Sequence, residues 1–239
     1  MKQKAREFLR QELAWWKAWE IAWIIVSSLI IIGLSVYWKD TLMGIISSTT
    51  GVICVICTGK GKLSAYLFGL VNSVLYAIIS YQATYYGETM LNALYYVPMQ
   101  FVGFWVWARN MNPETAEVNK RHMRPLHRML TFAGIAVATV VYGWLLEYLG
   151  DALPYVDSFT TVSSVAAMII SVWMFSEQWW IWVAVDVFSV YMWWVSFRAG
   201  QDNVATLLMW VVYLGNAVIM LFKWESEVRR NQKNKEASV

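Results

Sequence analysis

Residues 178–197 read QWWIWVAVDVFSVYMWWVSF, twenty residues whose single charged side chain is Asp186. About 20 helical residues cross the roughly 30 Å hydrocarbon core of a bilayer, so this stretch predicts a membrane-spanning helix. Asp186 lies eight residues into the stretch, near the bilayer centre. A charge at that depth costs about 2.5–3.5 kcal/mol on insertion scales, and something must offset the cost. Asp186 is therefore the first candidate for a functional residue.

Similar apolar stretches fill most of the chain and predict an all-α polytopic membrane protein. Hydrophobic residues make up 59% of the sequence and charged residues 15%, whereas a soluble domain carries about 25% charged residues. Cys54 and Cys57 lie inside one such stretch, so we interpret both as small buried hydrophobic side chains. The predicted helices span residues 18–38, 41–58, 63–82, 88–108, 129–149, 158–175, 178–197 and 203–223.

The distribution of basic residues predicts the topology. They precede the first helix, join helices two and three and helices four and five, and follow helix eight. If eight helices alternate, these joints share one side of the membrane, and the positive-inside rule places that side and both termini in the cytoplasm. The opposite joints contain Lys39 and Arg198 together with the acidic residues Glu88, Asp151, Asp157 and Asp202. This charge pattern is typical of membrane flanks and does not indicate a nucleic-acid partner.

The chain also repeats itself. A shift of about 114 residues aligns residues 65–72, AYLFGLVN, with residues 179–186, WWIWVAVD, so that Asn72 matches Asp186. A further shift of two residues matches Gln100 with Asn216. We therefore predict two parallel three-helix bundles, because one linker helix between them restores the orientation of the second copy. The predicted segments are an N-terminal helix (1–38), the first bundle (41–108), a cytoplasmic loop with the linker helix (109–149), the second bundle (158–223) and a basic cytoplasmic tail (224–239).

Two tryptophans share a helical face with the predicted intramembrane acid. Trp179, Trp182 and Asp186 follow each other at spacings of three and four residues. An aromatic face beside a carboxylate suits a flat cationic ring, through stacking and cation–π attraction. Ordinary packing of large side chains is the alternative for the tryptophans. For Asp186 the alternative is a protonated carboxyl group that is hydrogen-bonded across helices.

Amide side chains lie at comparable depth in other helices. Asn72, Gln100 and Asn216 offer hydrogen-bond donors and acceptors that suit sugar hydroxyls or a carboxamide, and Tyr76 follows Asn72 by one turn. The alternative is that these amides only hold helices together. Pro98 interrupts the fourth helix just before Gln100, which frees backbone carbonyls to line a cavity or simply kinks the helix.

Chemistry-bearing motifs outside these helices are few. The sequence contains no phosphate loop, metal-binding motif or nucleophile–base pair, so we predict no cofactor and no enzymatic activity. His122 and His127 both fall in the basic loop between helices four and five, where we expect them to be solvated.

At these residues the chain resembles the PnuC family of bacterial vitamin transporters. The segment 179–186 is similar to the family's W-x-x-W-x-x-x-N signature, and the resemblance covers roughly residues 42–224. The other segments that carry it are residues 65–72 with Tyr81 and Gln82, residues 100–109 (QFVGFWVWAR), and residues 214–216 (LGN) in the last helix.

The resemblance implies facilitated diffusion of nicotinamide riboside across the bacterial inner membrane, with a cytoplasmic kinase that phosphorylates and traps the substrate. It also implies a homotrimer and a SWEET-like core of two three-helix bundles with a linker, the first helix being an addition found in some members. Carried over by position, the residues that would line the substrate site are Trp179, Trp182, Asn72, Gln100 and Asn216.

One departure from the family's pattern leaves the vitamin open. Asp186 stands where family members often have Asn. Nicotinamide riboside carries a pyridinium and thiamine a thiazolium, so an acid suits either of them, whereas neutral riboflavin gains less. A membrane scaffold without a transported ligand is the alternative from another class, although such a scaffold has no need of an acid and paired amides at the midplane.

Overall fold

The computed structural model describes residue 10 and residues 12–82, 86–112, 115–148, 154–200 and 204–236. Within these ranges the regular secondary structure is all helical, as predicted, and the β-pairing consists of isolated bridges. The fourth helix, α4, is made of three successive segments, Tyr86–Met90, Leu91–Tyr96 and Val97–Arg109. The other helices are α1 (Ala18–Tyr37), α2 (Leu42–Lys60), α3 (Ser64–Gln82), α5 (Pro125–Tyr148), α6 (Pro154–Val172), α7 (Gln178–Arg198) and α8 (Val204–Glu236).

The C-terminal helix extends well beyond its predicted end. Helix α8 continues to Glu236, so the described part of the predicted tail 224–239 is helical. Residues 225–236 contain no Gly or Pro, and an ion pair between Glu225 and Arg229, 3.9 Å apart at a spacing of four residues, supports the helix there. The hydropathy pattern thus predicted where the chain leaves the membrane rather than where the helix ends.

Helix α4 differs from the others in its backbone. Seven helices in the described ranges are long and apolar enough to cross a membrane, and α4 is not among them because it is interrupted. Its middle segment, Leu91–Tyr96, is a π-helix in which the Val97 N–H donates to the Asn92 carbonyl, five residues back. Pro98 follows directly and has no N–H to offer to the preceding turn, which accounts for the wider turn at this point.

The helices pack in an order that places two groups of three side by side. Helix α3 packs between α2 and α4, and α7 packs between α6 and α8. Helix α8 also packs on α2, and α4 packs on α6, so the six helices surround a common interior. Helix α5 packs chiefly on α6, and α1 packs on α2 and α8.

Small residues allow the closest helix contacts around this interior, as in other membrane bundles. A Cβ atom added at Gly69 of α3 would lie 2.6 Å from Oε1 of Gln100 in α4. A Cβ atom added at Gly103 of α4 would overlap the ring of Tyr66 in α3. These glycines therefore bring α3 and α4 close enough for Gln100 to reach the interior.

Buried charges tie the helices together at one end of the bundle. We call this cluster the ion-pair network; it consists of Glu20, Lys60, Glu117, Lys120, Lys223 and Glu227. Lys60 Nζ lies 2.8 Å from Glu20 and 3.0 Å from Glu117, and Lys223 Nζ lies 2.8 Å from the other oxygen of Glu20. Lys120 pairs with Glu117 and Glu227. The network joins α1, α2, α8 and the segment that follows α4.

Two further side chains near the network hold the chain around the α2–α3 joint. Lys62 is fully buried and donates to the Ala14 carbonyl at 3.0 Å and to the Ala116 carbonyl at 2.9 Å. Burial lowers the pKa of Lys62 from its usual value, although Glu12 and Glu117 partly oppose that shift. The Glu12 carboxylate accepts hydrogen bonds from the backbone N–H groups of residues 63 and 64 and so caps the start of α3.

The expectation that His122 is solvated was wrong, whereas His127 is exposed. The His122 side chain is only 16% exposed, because Glu177 and Glu225 lie on its two sides at 3.4 Å and 3.2 Å. Glu177 also pairs with Arg128 at 2.5 Å. These contacts place the α6–α7 joint at the same end of the bundle as the ion-pair network.

Candidate substrate cavity

The six helices of the two groups enclose a cavity of about 130 Å³. Its wall contains side chains from α2, α3, α4, α6, α7 and α8. Each residue that the sequence singled out as a site candidate lies on this wall: Asn72, Tyr76, Gln100, Trp179, Trp182, Asp186 and Asn216. Packing brings the candidates together, and their role in binding remains a prediction.

Asp186 is the most unusual group of the cavity. It is 2% exposed, and its carboxyl group makes no hydrogen bond or ion pair with any residue whose position is described. Tyr96 and Tyr213 lie within electrostatic range of it. The interhelical hydrogen bond required by the structural interpretation of Asp186 is therefore not formed within the described part of the chain. The carboxyl group instead contributes to the cavity wall.

The two tryptophans of α7 occupy different positions. Trp179 is 2% exposed and packs edge-to-face on Trp224, with ring centroids 5.7 Å apart. Trp224 in turn donates its indole N–H to the Gly59 carbonyl at 2.8 Å. Trp182 is only partly buried and lies one turn before Asp186. Trp182 thus lines the cavity one helical turn from the acid, while Trp179 forms the wall toward the ion-pair network.

The amide side chains of Asn72 and Asn216 form hydrogen bonds between helices, and one amide oxygen has no described partner. The Asn216 amide donates to the Val55 carbonyl at 3.1 Å, while its oxygen is buried without a hydrogen-bond partner among the described residues. The Asn72 amide donates to the Ser47 carbonyl at 2.9 Å. These donor groups hold neighbouring helices together, and the unpartnered Asn216 oxygen provides an acceptor at the cavity wall.

Gln100 and Tyr76 differ in how free their polar groups are. The only hydrogen bond that the described residues give Gln100 is a long one, 3.5 Å from its amide nitrogen to the Ser73 hydroxyl. The Tyr76 hydroxyl accepts two indole N–H groups, from Trp193 at 3.0 Å and from Trp210 at 3.3 Å. Tyr76 thus reaches the wall as predicted by its spacing, but its hydroxyl already holds two tryptophans in place.

Several wall residues were not among the candidates. Glu88, Asn92, Tyr96 and Tyr213 all line the cavity. Helical spacing was the available signal, because Tyr96 precedes Gln100 by four residues and Tyr213 precedes Asn216 by three. The sequence places Glu88 at a joint because it lies at the start of a predicted helix. An acid in the first turn of a helix is common, so its position gave no sign that it lines the cavity.

The chemistry of the wall suits an organic cation with polar substituents. The wall contains Asp186 and Glu88, and no Lys, Arg or His is among the wall residues that the structure describes. The described residues also include no group of three or more His, Cys, Asp or Glu that could hold a metal ion. Aromatic rings, carboxyl groups and amides are the groups that recognise a flat cationic ring carrying hydroxyl or carboxamide groups.

Comparison with known proteins identifies the family. A family model described as nicotinamide mononucleotide transporter matches residues 41–226. The nicotinamide riboside transporter PnuC of Neisseria mucosa is 37% identical to this chain, over 95% of this chain and 92% of that protein. The chain belongs to the PnuC family. It is therefore a multi-pass membrane transporter, not an enzyme.

Other members of the PnuC family extend the comparison. The nicotinamide riboside transporter PnuC of Haemophilus influenzae is 28% identical, over 93% of this chain and 96% of that protein. A solved structure described as the crystal structure of the vitamin B3 transporter PnuC shares 36% identity with a TM-score of 0.84, over 94% of this chain and 98% of that chain. The structural agreement covers more of the chain than residues 41–226, which the family model matches.

Proposed function

We propose that this protein transports nicotinamide riboside across the bacterial inner membrane. One observation carries the proposal: Asp186 has no partner among the described residues and lines the cavity one turn from Trp182, with no Lys, Arg or His on the described wall. The pyridinium ring stacks on Trp182 and is balanced by Asp186, while the ribose and carboxamide engage Asn72, Gln100 and Asn216. The names of the most similar relatives support the same substrate.

The chemistry of the cavity favours the riboside over its phosphorylated form, which the family model names. A mononucleotide adds a phosphate group that carries nearly two negative charges at neutral pH. Asp186 and Glu88, where ionised, repel that group, and none of the described wall residues supplies a cation to pair with it. Desolvating a phosphate without a partner costs several kcal/mol, so we expect the mononucleotide to bind more weakly than the riboside.

We propose an architecture of two parallel three-helix bundles. Helices α2–α4 form one bundle, α6–α8 form the other, α5 links them and α1 is an additional helix. The packing supports it, because exchanging each helix with its counterpart leaves the contacts unchanged: α2–α3 matches α6–α7, α3–α4 matches α7–α8, and α2–α8 matches α4–α6. Rocking of one bundle against the other would then expose the cavity alternately to each side.

We assign the end with the ion-pair network to the cytoplasm, together with both termini. Lys60, Lys120 and Lys223 meet there, and His122 and Glu177 bring the α6–α7 joint to the same end. Basic residues concentrate on the cytoplasmic side of bacterial membrane proteins. We also propose the three properties that the family resemblance implies. They are transport by facilitated diffusion, trapping of the substrate by a cytoplasmic kinase, and assembly as a homotrimer.

Calorimetric titration of the purified, detergent-solubilised protein tests the substrate. We expect saturable binding of nicotinamide riboside and weaker binding of the mononucleotide. Thiamine is the second candidate, because Asp186 suits any flat cationic ring. Binding of thiamine alone would keep the mechanism and change the vitamin. If the folded protein bound none of these ligands, nor riboflavin, the proposed substrate class would be wrong.

Counterflow in proteoliposomes tests the mode of transport. Vesicles loaded with unlabelled riboside are diluted into labelled riboside without an ion gradient. Facilitated diffusion predicts transient accumulation of label under these conditions. Accumulation only when a proton or sodium gradient is imposed would contradict it.

A further inference from the structure

The cavity contains a second acid, Glu88, that belongs to a different helix and a different depth from Asp186. Glu88 lies in the first turn of α4, and its carboxyl group makes no hydrogen bond or ion pair with any residue whose position is described. The side-chain amide of Asn92, in the π-helical segment of α4, donates to the backbone carbonyl of Glu88 at 2.9 Å. This hydrogen bond connects the π-helical segment to the first segment of α4. Glu88 is therefore an ionisable wall residue that the site proposed above does not use.

The two acids lie at different depths in the cavity, Glu88 at one end and Asp186 in the interior. Helix α3 starts at the network end, so α4, which follows it, starts at the opposite end with Glu88. Helix α7 starts at the network end, where Glu177 pairs with Arg128, and its first-turn residue Trp179 also lines the cavity. The cavity thus reaches from the first turn of α4 to the first turn of α7, and Asp186 lies about 12 Å inside from the network end.

Tyr96 is a neighbour of both acids. It lies within electrostatic range of both Glu88 and Asp186, and Ser164 of α6 lines the same cavity. Asp157, in the first turn of α6, lies within electrostatic range of Glu88 and adds a second acid beside it. No Lys, Arg or His is among the described wall residues, so no described wall cation offsets the acidic groups between the Glu88 end and Asp186.

We propose that Glu88 forms an outer binding position for the cationic substrate, which an incoming pyridinium occupies before it reaches Trp182 and Asp186. The proposal rests on the function proposed above and on the assignment of the Glu88 end to the outside. A carboxylate at this point raises the local concentration of the cation and therefore accelerates entry more than it tightens final binding. Glu88 is thus a residue that determines charge selectivity during uptake.

The variant Glu88→Gln tests the proposal because it removes the charge and keeps the shape. We expect initial uptake of nicotinamide riboside into proteoliposomes to fall about fivefold at low ionic strength and to lose most of its dependence on salt. The dissociation constant measured by titration should change less than about twofold, since Asp186 and Trp182 are intact. Uptake of the dihydro form of the riboside, whose ring is uncharged, should not change.

Glu147→Gln is the matched control. Glu147 is an exposed carboxylate at the end of α5, accepts a hydrogen bond from Tyr155 at 3.0 Å and is not part of the cavity wall. Its loss should leave both uptake rates unchanged. Thermal unfolding of each variant shows whether it is folded, and Glu88→Asp should restore the rate in part.

Three results would overturn the proposal. Unchanged uptake by folded Glu88→Gln protein, an equal loss for the charged and uncharged ribosides, or an equal loss in Glu147→Gln would each exclude an outer cation position at Glu88. Wild-type protein that binds no riboside would instead overturn the function proposed above, so the two failures are distinguishable.

Discussion

The cavity and the ion-pair network differ in how their acidic side chains are paired. In the network every described carboxylate faces at least one lysine, as Glu20 does with Lys60 and Lys223, both at 2.8 Å. In the cavity Asp186 and Glu88 make no hydrogen bond or ion pair within the described ranges. Burial of ionised groups costs desolvation energy in both regions, but only in the network do described ion pairs offset that cost. The cavity is left with two carboxyl groups that have no partner among the described residues and that an organic cation can pair with.

The difference separates residues that hold the bundle together from residues available to a ligand. The same contrast appears among neutral groups: Tyr76 has its hydroxyl engaged by two indoles, whereas the Asn216 oxygen has no partner among the described residues. Depth in the membrane therefore does not by itself mark a binding residue. The informative property is a polar atom at the cavity wall that the protein leaves unpaired.

The largest expected effect is on stability, from the variant Glu20→Gln. This change leaves Lys60 and Lys223 buried near a neutral side chain, and breaking a buried ion pair from one side costs about 3–5 kcal/mol. Unfolding in detergent should shift to markedly lower temperature, while the folded fraction should bind nicotinamide riboside with unchanged affinity. Weaker binding without loss of stability would contradict the separation of the two regions.

The next effect is on binding, from the variant Trp182→Ala. Stacking of one aromatic ring contributes about 1–3 kcal/mol, so affinity for the riboside should fall about 30-fold while the protein stays folded. The control is Trp180→Ala, since Trp180 is 55% exposed on the other side of α7. Near-wild-type affinity in Trp182→Ala, or an equal loss in the control, would indicate that Trp182 only packs.

The variant Asp186→Asn sharpens the comparison between paired and unpaired acids. It should weaken binding of the cationic riboside about tenfold and leave binding of the uncharged dihydro form unchanged, because only the charge is removed. Stability should not fall, since no described residue pairs with the carboxyl group. A drop in unfolding temperature like that of Glu20→Gln would show that Asp186 is structural.

The sequence predicted the cavity better than the network, for a physical reason. A polar residue inside an apolar helix is costly, so Asp186, Asn72 and Gln100 are visible without any knowledge of their neighbours. Charged residues in polar joints or in the first and last turns of helices carry no such cost. The pairing of Glu20 with Lys60 therefore depends on a fold that joins positions far apart in sequence, and no local pattern records it.

The remaining differences have the same origin. Glu88 lies close to the start of its helix, where an acid is ordinary, and only the closed ring of helices makes it a wall residue. The length of α8 depends on helix propensity beyond the membrane, which hydropathy does not measure. His122 is held by Glu177 and Glu225, which lie on other segments of the chain.

The smallest expected effect comes from Glu117, whose carboxylate is partly exposed in the network. Burial alone would raise the pKa of Glu117, but Lys120 and Lys60 outweigh it and hold that pKa below its usual value. A lowered pKa in the folded protein means that the charged form stabilises the fold above the unfolded pKa of about 4.3, and that this contribution is lost as the pH falls through the folded pKa. Glu117→Gln should therefore destabilise the protein by about 1 kcal/mol at pH 7, and the difference from wild type should shrink in acid. Denaturation of both proteins between pH 7 and pH 3 measures it, and a difference that persisted or grew in acid would show that Glu117 stabilises the network through its shape rather than its charge.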